Sequence, residues 1–563
     1  MSEVQRTLPA NLQASYTEVP ERTAIILQHA GQEDIHLSYR SLLDGANGFT
    51  QTYIREGLLP GEVVVLILQH SQELIFSFWG AVLHGSIPSI MPFLTEKLSP
   101  ERYRADLGAL IDITHPAAIV TYPDFEREVR GALQPDSSVR TVIITDRVEP
   151  ASPPDFDLLP LSNRSPADTV LLQHSSGTTG LQKGVALSHQ AVLNQLDAYS
   201  QTLQLNGNDV IVSWLPLYHD MGLIASFLLP VLTRTPLVLM SPFDWVRAPY
   251  RLMQSVSQYR GTLTWLPNFA YNFCAQKVRP RHLENVDLSS WRAVINCSEP
   301  VRAESHRVFL QVFQPYGLKQ NALQTSYAMA ENVFSVTQSP LDSISVVETI
   351  DRRAFITERL IKPPVDGQPT VEMMSSGKPI SNTRVRVLDE KGHDLPERVI
   401  GELALQSNCM LTGYYNRPDV TKKAFIDGWY LTGDYGYISN GEVYVTGRKK
   451  EIIIVGGKNV YPQDLEMLVY EVDGVHPGRA VAFGIYDEQA GTEEVVVVAE
   501  ADNLSLAEEQ DLADRIRQHV TKNSAIALRY VHIVGPKWIL KTSSGKPSRL
   551  ANREKYLAEI ASK

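Results

Sequence analysis

A ten-residue stretch, Ser175-Ser-Gly-Thr-Thr-Gly-Leu-Gln-Lys183-Gly184, gathers four hydroxyls, three glycines and one lysine between the apolar runs Val170–Leu172 and Val185–Leu187. Glycines let backbone N–H groups come close to a ligand, and hydroxyls with a lysine suit an anion, so the expected guest is a polyphosphate. The spacing departs from the Walker loop, because Gly177 and Gly180 are three apart and Lys183 comes later. A dinucleotide fingerprint would open a helix directly, whereas this loop lies between two strand-like runs. Polar Ser/Thr/Gly stretches are more often solvated linkers than sites. The flanking apolar runs and the lysine weigh against a linker, and the rest of the chain has to decide.

The elements that hold such a loop read as mixed α/β layers. The chain has 563 residues, which requires two or more domains. Val63–Leu68 reads as a buried strand and Pro236–Met240 as another. Gln190–Leu203 reads as a helix with Ser188 as its N-cap. Pro150–Pro166, rich in Pro, Ser and Asp, reads as a surface connection. Ser439-Asn-Gly-Glu442 is a hairpin turn pattern leading into the alternating run Glu442–Thr446. Beyond Gly447 a smaller unit follows, with strands at Arg479–Ile485, Glu494–Glu500 and Tyr530–Val534 and an amphipathic helix at Leu506–Val520. The fold class is α/β: a large multi-layer N-terminal domain, residues 1–447, with mixed β-sheets flanked by helices, and a small α+β C-terminal domain, residues 448–563.

Composition narrows the function. A formal net charge of −11 argues against general nucleic-acid binding. The most apolar early segment, Val63–Phe93, is interrupted by Gln69, His70, Gln72, Glu73 and His84, so no stable membrane insertion is expected. The first residues contain no apolar signal core, and Cys274, Cys297 and Cys409 form neither a disulfide framework nor a zinc spacing, so a cytoplasmic setting is expected. From Asn503 to Lys563 there are eleven Lys/Arg against six Asp/Glu. That basic tail is either a solvated face or a steering surface for an acidic partner, with Arg515, Arg517 and Arg529 as candidates.

Five further motifs follow the loop in order: Leu217-Tyr-His-Asp-Met-Gly-Leu223, Ser326-Tyr-Ala-Met-Ala-Glu331, Tyr430-Leu-Thr-Gly-Asp434, Gly447-Arg-Lys-Lys-Glu-Ile-Ile453 and Lys541-Thr-Ser-Ser-Gly-Lys546-Pro-Ser-Arg549. Taken with the loop, the ordered set resembles the adenylate-forming superfamily of acyl-CoA synthetases, peptide-synthetase adenylation domains and luciferases, over essentially the whole chain. The resemblance implies that a carboxylate and ATP give an acyl-adenylate and pyrophosphate, with ATP and Mg²⁺ as cofactors. It assigns Ser175, Ser176, Gly177, Thr178, Thr179, Gly180 and Lys183, with Ser298 and Glu299, to ATP, and makes the loop a holder of the departing phosphates. It assigns Lys546 to the bridge between the carboxylate and the α-phosphate, Glu331 to Mg²⁺, Asp434 to the ribose hydroxyls, Arg448 to ribose and phosphate, and Tyr327 to the adenine face. As an Asp in a Gly-Asp turn, Asp434 has an equally ordinary structural reading. His219 is implied beside the acyl pocket as a positioning group, since a carboxylate needs no deprotonation at neutral pH. Trp214, Asn268 and Ala328 complete the implied acyl site. Lys450 falls at the family's hinge, about which the small domain turns between adenylation and thioester formation.

Within the superfamily, Ser213–Leu223, Leu266–Tyr271, Ser298–Arg302 and Tyr461–Glu466 are similar to fatty acyl-AMP ligases. The polar stretch between Glu331 and Ser376, with Pro363, Pro364 and Gly367, sits where those ligases carry an extra segment that hinders the rotation needed for CoA. The resemblance therefore implies transfer to the phosphopantetheine arm of an acyl carrier protein, with an acyl-CoA ligase using free CoA as the alternative. Ala328 departs from the glycine usual after the adenine tyrosine, His174 from an aromatic or threonine, and Asn296-Cys297 from small residues. These departures leave the length and nature of the acyl chain open.

Overall fold

In the strand Val63–Ile67 every residue is buried, and its two faces enter different cores. Val64 and Leu66 join the main core, while Val63, Val65 and Ile67 meet Tyr103, Leu107, Leu110 and Ile111 of the helix Pro100–Thr114. A near-continuous aliphatic run is what a parallel strand covered on both faces requires. This computed structural model describes residues 6–93, 100–150, 152–157, 159, 164–175, 183–455, 458–476, 478–487, 492–502, 504–524, 526, 528, 529–541 and 546–561.

That strand belongs to a seven-stranded sheet in the order Gly413–Tyr414, Lys183–Ser188, Thr169–Ser175, Ile87–Ile90, Val63–Ile67, Ala118–Thr121, Thr141–Ile144. A second sheet of nine strands runs from Lys378–Pro379 to Ile35–Ser38, with Leu263–Leu266, Ala293–Asn296 and Leu323–Ala328 pairing in parallel in its middle. The helices Tyr39–Arg55, Gln72–His84 and His189–Thr202 share one core with strands of both sheets. The first two cross closely at Gly80, where a Cβ would lie 2.6 Å from Ala46 O. Ser188 caps the third, its Oγ accepting from Ala191 N at 3.1 Å. A third, antiparallel sheet contains Trp429–Ser439 and Glu442–Arg448, joined through Asn440 (φ +53°) and Gly441 (φ +75°), as the Asn-Gly pattern demands.

The small unit is a three-stranded sheet, Ala480–Asp487, Thr492–Glu500 and Tyr530–Val534. Alternation sorts its strands cleanly. Ala480, Ala482, Val495 and Val497 meet the helices Pro462–Tyr470 and Leu506–Ser524, while Val481, Phe483, Val496 and Val498 meet Tyr556 of the helix Arg549–Ala561. The chain is thus α/β, with a large sheet-and-helix body and a smaller C-terminal domain.

Three sequence readings need correction. The stretch between Glu331 and Ser376 is structured: Val347–Asp351 pairs antiparallel with Thr370–Met374. Its Ile350, Phe355, Ile361 and Met373 are buried with Tyr435, Tyr437, Tyr444 and Tyr461. Within the Pro150–Pro166 connection, Leu159 enters the main core. The arginines of the basic tail are already engaged. Arg515 pairs with Asp511 (2.9 Å), Arg529 with Glu494 (3.6 Å), and Arg517 with Asp514, all as partly exposed surface pairs. Among the described residues no helix is long and apolar enough to cross a membrane.

Burial of histidines sets an acid limit on this fold. His84, His174 and His189 are pushed down to about 4, and His306 to about 3, by desolvation. Unfolded, each takes a proton near pH 6.5, so below that value the unfolded chain binds more protons and stability falls until the folded groups also titrate. Lowering the pH from 7 to 5 is expected to cost on the order of 1–2 kcal/mol per buried histidine. A thermal melt should show Tm falling across that window, and a Tm constant from pH 7 to 5 would contradict the burial of neutral imidazoles.

Candidate active site

The strand Leu323–Ala328 delivers Tyr327 and Ala328 to the edge of the body, and Glu331 follows on the single turn Ala330–Asn332. Val333 then takes φ +62°, rare for a β-branched residue. It centres a three-residue turn closed by Phe334 N donating to Asn332 O at 2.6 Å. Asn332, fully buried, holds that turn by donating to Ser335 O (2.7 Å) and accepting from Ser407 Oγ. Glu331 is fixed as a result. Its Oε1 accepts from Tyr414 OH (2.9 Å), which also meets Tyr430 OH (2.9 Å), and Lys183 Nζ lies 4.7 Å from the centre of the Tyr414 ring. Burial pulls the Lys183 ammonium below its ordinary value, the like charges of Lys450 and Arg417 add to this, and Glu331 opposes it. Glu331, Lys183, Lys450 and Arg417 therefore share one patch.

Asp434 and Arg448 face each other across the strands Trp429–Ser439 and Glu442–Arg448. Asp434 Oδ2 accepts from Tyr327 OH at 2.6 Å, and Arg448 Nε lies 3.5 Å from Oδ1. Burial pushes the Asp434 carboxyl up, and the Arg448 guanidinium works against that shift. Phenol, carboxylate and guanidinium thus form one polar face beside Glu331.

Lys546 comes from the small domain. Its turn is clamped by fully buried Asn552, whose Oδ1 accepts from Leu540 N and whose Nδ2 donates to Leu540 O and Ser548 O, each at 2.8 Å. Lys546 Nζ donates to Ser298 O of the body. Arg549, just beyond, pairs with Glu466 through two nitrogens (2.9 and 2.7 Å) and with Glu451. A second bridge between small domain and body joins Asp464 to Arg302 at 3.0 Å. His219 sits beside Lys546. Desolvation and then the Lys546 charge push its imidazole down to about 4, so it is neutral near pH 7. Its Nε2 is buried without a hydrogen-bond partner.

The structure therefore gathers Lys183, Glu331 and Lys450, then Tyr327, Asp434 and Arg448, and then His219, Ser298 and Lys546 into neighbouring groups, with Ala328 next to Tyr327 in its strand. Three other candidates serve the scaffold. Asn268 Oδ1 accepts from Asn296 Nδ2 (2.9 Å) and Arg302 N (3.2 Å), Glu299 Oε2 accepts from Phe269 N (2.9 Å), and Trp214 stacks on Trp245 with centroids 3.5 Å apart. Ser175 pairs through its backbone with Lys183 across the loop, and Ser176, Gly177, Thr178, Thr179 and Gly180 lie outside the described residues. Sequence reasoning missed Tyr414, Asn332 and Asn552. Each acts by orienting a charged neighbour, and no spacing in the sequence ties Tyr414 to Glu331.

A cluster of charged and polar side chains lies on a layered α/β body, and a small α+β domain adds a lysine that reaches the body at Ser298. That combination defines the class of adenylate-forming enzymes. The chain belongs to the AMP-binding enzyme family, whose profile matches residues 12–415, and it is an ATP-dependent, AMP-forming ligase. It is 30% identical to the long-chain-fatty-acid–AMP ligase FadD32 of Mycobacterium marinum, over 88% of this chain and 85% of that one. It is 29% identical to the medium-chain-fatty-acid–[acyl-carrier-protein] ligase JamA of Moorena producens, over 96% and 93%. A solved structure from work on fatty acyl-adenylate ligases of E. coli and L. pneumophila superposes with a TM-score of 0.90 at 26% identity, covering 100% of this chain and 99% of that one.

Proposed function

We propose that this enzyme activates a fatty or related carboxylic acid as its acyl-AMP and then passes the acyl group to the phosphopantetheine thiol of an acyl carrier protein. In the first half-reaction a carboxylate oxygen attacks the α-phosphorus of ATP and pyrophosphate leaves. Both reactants are anionic, so catalysis depends on placed cations and alignment. The observation that supports the reading is Lys546 Nζ held against Ser298 O of the body, where its charge also acts on His219. Lys546 spans the attacking carboxylate and the α-phosphate. Neutral His219 orients the acid, Tyr327 packs on the adenine, and Asp434 with Arg448 takes the ribose. Lys183 balances the charge of the departing phosphates.

Glu331 suits Mg²⁺. Among the described residues no cluster of three or more His, Cys, Asp or Glu could hold a metal, and a single buried carboxylate is what an ion ligated mainly by phosphate oxygens and water needs. Bound there, Mg²⁺ would neutralise phosphate charge, while Tyr414 keeps Glu331 in place. We place the domain boundary at residues 447 and 448 and the hinge at Lys450.

The carrier-protein acceptor is favoured over CoA by the packing of the extra segment on the small domain. Phe355 stacks obliquely on Tyr461 with ring centroids 5.8 Å apart, and Arg307 anchors the segment to the body through Glu372 at 2.7 Å. That packing restrains the small domain, so the turn about Lys450 that thioester formation needs is driven more readily by a docked carrier protein than by the small contact area of free CoA. Hydroxylamine trapping over a panel of carboxylic acids, repeated with CoA and with a holo acyl carrier protein, tests both steps. Acyl hydroxamate should form only with ATP, and thioester should form on the carrier. Faster thioester formation on free CoA would favour the CoA ligase, and silence across the panel would remove the enzyme reading.

A further inference from the structure

Three cations of the body lack the ion pairs that engage the tail. Lys277, Arg279 and Arg281 fall within the run Lys277-Val-Arg-Pro-Arg-His282, and all three are exposed. Among the described residues no carboxylate lies within 4.0 Å of any of them. Arg281 Nε donates instead to His282 Nε2 at 3.3 Å. Of the acids nearby in the sequence, Asp244 accepts from Ala30 N and Asp287 faces Arg260 at 3.8 Å, which leaves Glu284 against three cations. The run is held in place. Val278 and Leu283 are buried within and after it, Arg279 N donates to His282 Nδ1 (3.1 Å), and the His282 ring stacks on Tyr250 with centroids 4.3 Å apart.

An apolar surface adjoins these charges. Phe269, Phe273 and Lys277 share the helix Asn268–Lys277, and their spacing of i, i+4 and i+8 places them along one side of it. Phe269 and Phe273 both pack on Trp245, with ring centroids 6.2 and 5.3 Å from its own. Trp245 belongs to the helix Pro242–Arg247, which also carries Phe243 and Val246. Trp245 is fully buried, whereas Phe243 is 41% exposed, Val246 55% and Phe269 36%. The apolar end borders the reacting centre. Phe269 N donates to Glu299 Oε2 (2.9 Å), and the adjacent Ser298 offers its carbonyl to Lys546. From Phe269 to Lys277 the helix rises about 12 Å, so the charged run stands one short helix away from the lysine contact.

We propose that this surface, Phe243, Val246 and Phe269 edged by Lys277, Arg279 and Arg281, is where an acidic acyl carrier protein docks to receive the acyl group. The proposal rests on the carrier-protein reading above and names the place where the carrier binds. Apolar contacts with charge at the rim are the anatomy of a transient protein interface, and the rim charges set encounter rate and partner choice. A positive patch on a chain of net charge −11 draws in an acidic protein, while the negative remainder is repelled by an anionic bilayer, so a carrier is favoured over a lipid surface.

The test measures thioester formation on a purified holo acyl carrier protein by the full-length enzyme, against carrier concentration and salt, beside ATP-dependent hydroxamate formation on the same preparation. Wild type is compared with the double variant Arg279→Glu, Arg281→Glu, with Val246→Asp, and with the tail variant Arg515→Glu, Arg517→Glu. The Arg279→Glu, Arg281→Glu variant should raise KM for the carrier by at least about tenfold and lose most of its salt dependence, with hydroxamate formation unchanged. Val246→Asp should raise the same KM, and the tail variant should leave it within about twofold of wild type. A carrier whose acidic residues are reversed to lysine should regain loading by the Arg279→Glu, Arg281→Glu variant. A folding defect would lower hydroxamate formation as well, and Val246→Asp is then the variant that decides. An unchanged KM in a folded variant, or a larger effect from the tail, would overturn the proposal. So would sedimentation with phosphatidylglycerol vesicles that the double variant loses while its carrier loading stays intact, because the surface would then serve a membrane. Hydroxamate formed by wild type with no carrier loaded would instead remove the carrier-protein reading, and this proposal with it.

Discussion

Lys546→Ala is expected to lower acyl-adenylate formation by about 10²–10³-fold, the usual loss when one preorganised charge-stabilising donor is removed. Thioester formation from supplied acyl-AMP should stay close to wild type. The asymmetry follows from where charge builds up. A carboxylate approaching an α-phosphate brings two anions together, and the small domain supplies this site with the Lys546 ammonium at Ser298 O. The cation is held by structure rather than by chance, because Asn552 fixes both strands of its turn. Once the adenylate exists, attack by a thiol no longer requires two anions to meet at phosphorus. Pyrophosphate exchange and single-turnover transfer measured on the same preparation separate the two steps. Adenylation at the wild-type rate would remove Lys546 from the mechanism.

Lys450→Pro is expected to act in the opposite sense, slowing thioester formation by about 10²-fold while affecting adenylation far less, as misplacement of an otherwise intact site does. Lys450 is exposed in the short turn Lys449–Glu451, between Arg448, which faces Asp434, and Glu451, which pairs with Arg549. Proline locks φ near −65° and removes a donor, so a residue that must change its backbone angles between two states cannot do so. Lys450→Ala removes the charge but leaves the backbone free, and should retain the balance between the half-reactions. The readout is that balance, which general loss of folding would not alter. Equal loss of both steps in the proline variant would count against a hinge at this position.

Much of the scaffold was legible because its causes are local. Val63–Ile67 is apolar throughout since it is covered on both faces, Ser188 caps its helix through a hydrogen bond three residues on, and Asn440-Gly441 supplies the positive φ values of a hairpin turn. The extra segment was misread as a polar stretch because its buried residues, Ile350, Phe355, Ile361 and Met373, recur with no helix or strand period. Their partners include Tyr435, Tyr437, Tyr444 and Tyr461, which come far later in the chain.

The sequence by itself determined the kinds of chemistry available: a loop rich in hydroxyls and glycine, isolated carboxylates, and a lysine held between Gly545 and Pro547 in an ordered motif. Backbone periodicity, capping and turn chemistry act over a few residues, so they can be read in one dimension. Only the tertiary structure decided that Lys546 meets Ser298 from 248 positions away, that Tyr414 orients Glu331, and that the tail's arginines pair with nearby carboxylates. Those relations come from long-range packing, in which side chains with no shared pattern are brought together because the two sheets and the small domain bury their faces against one another.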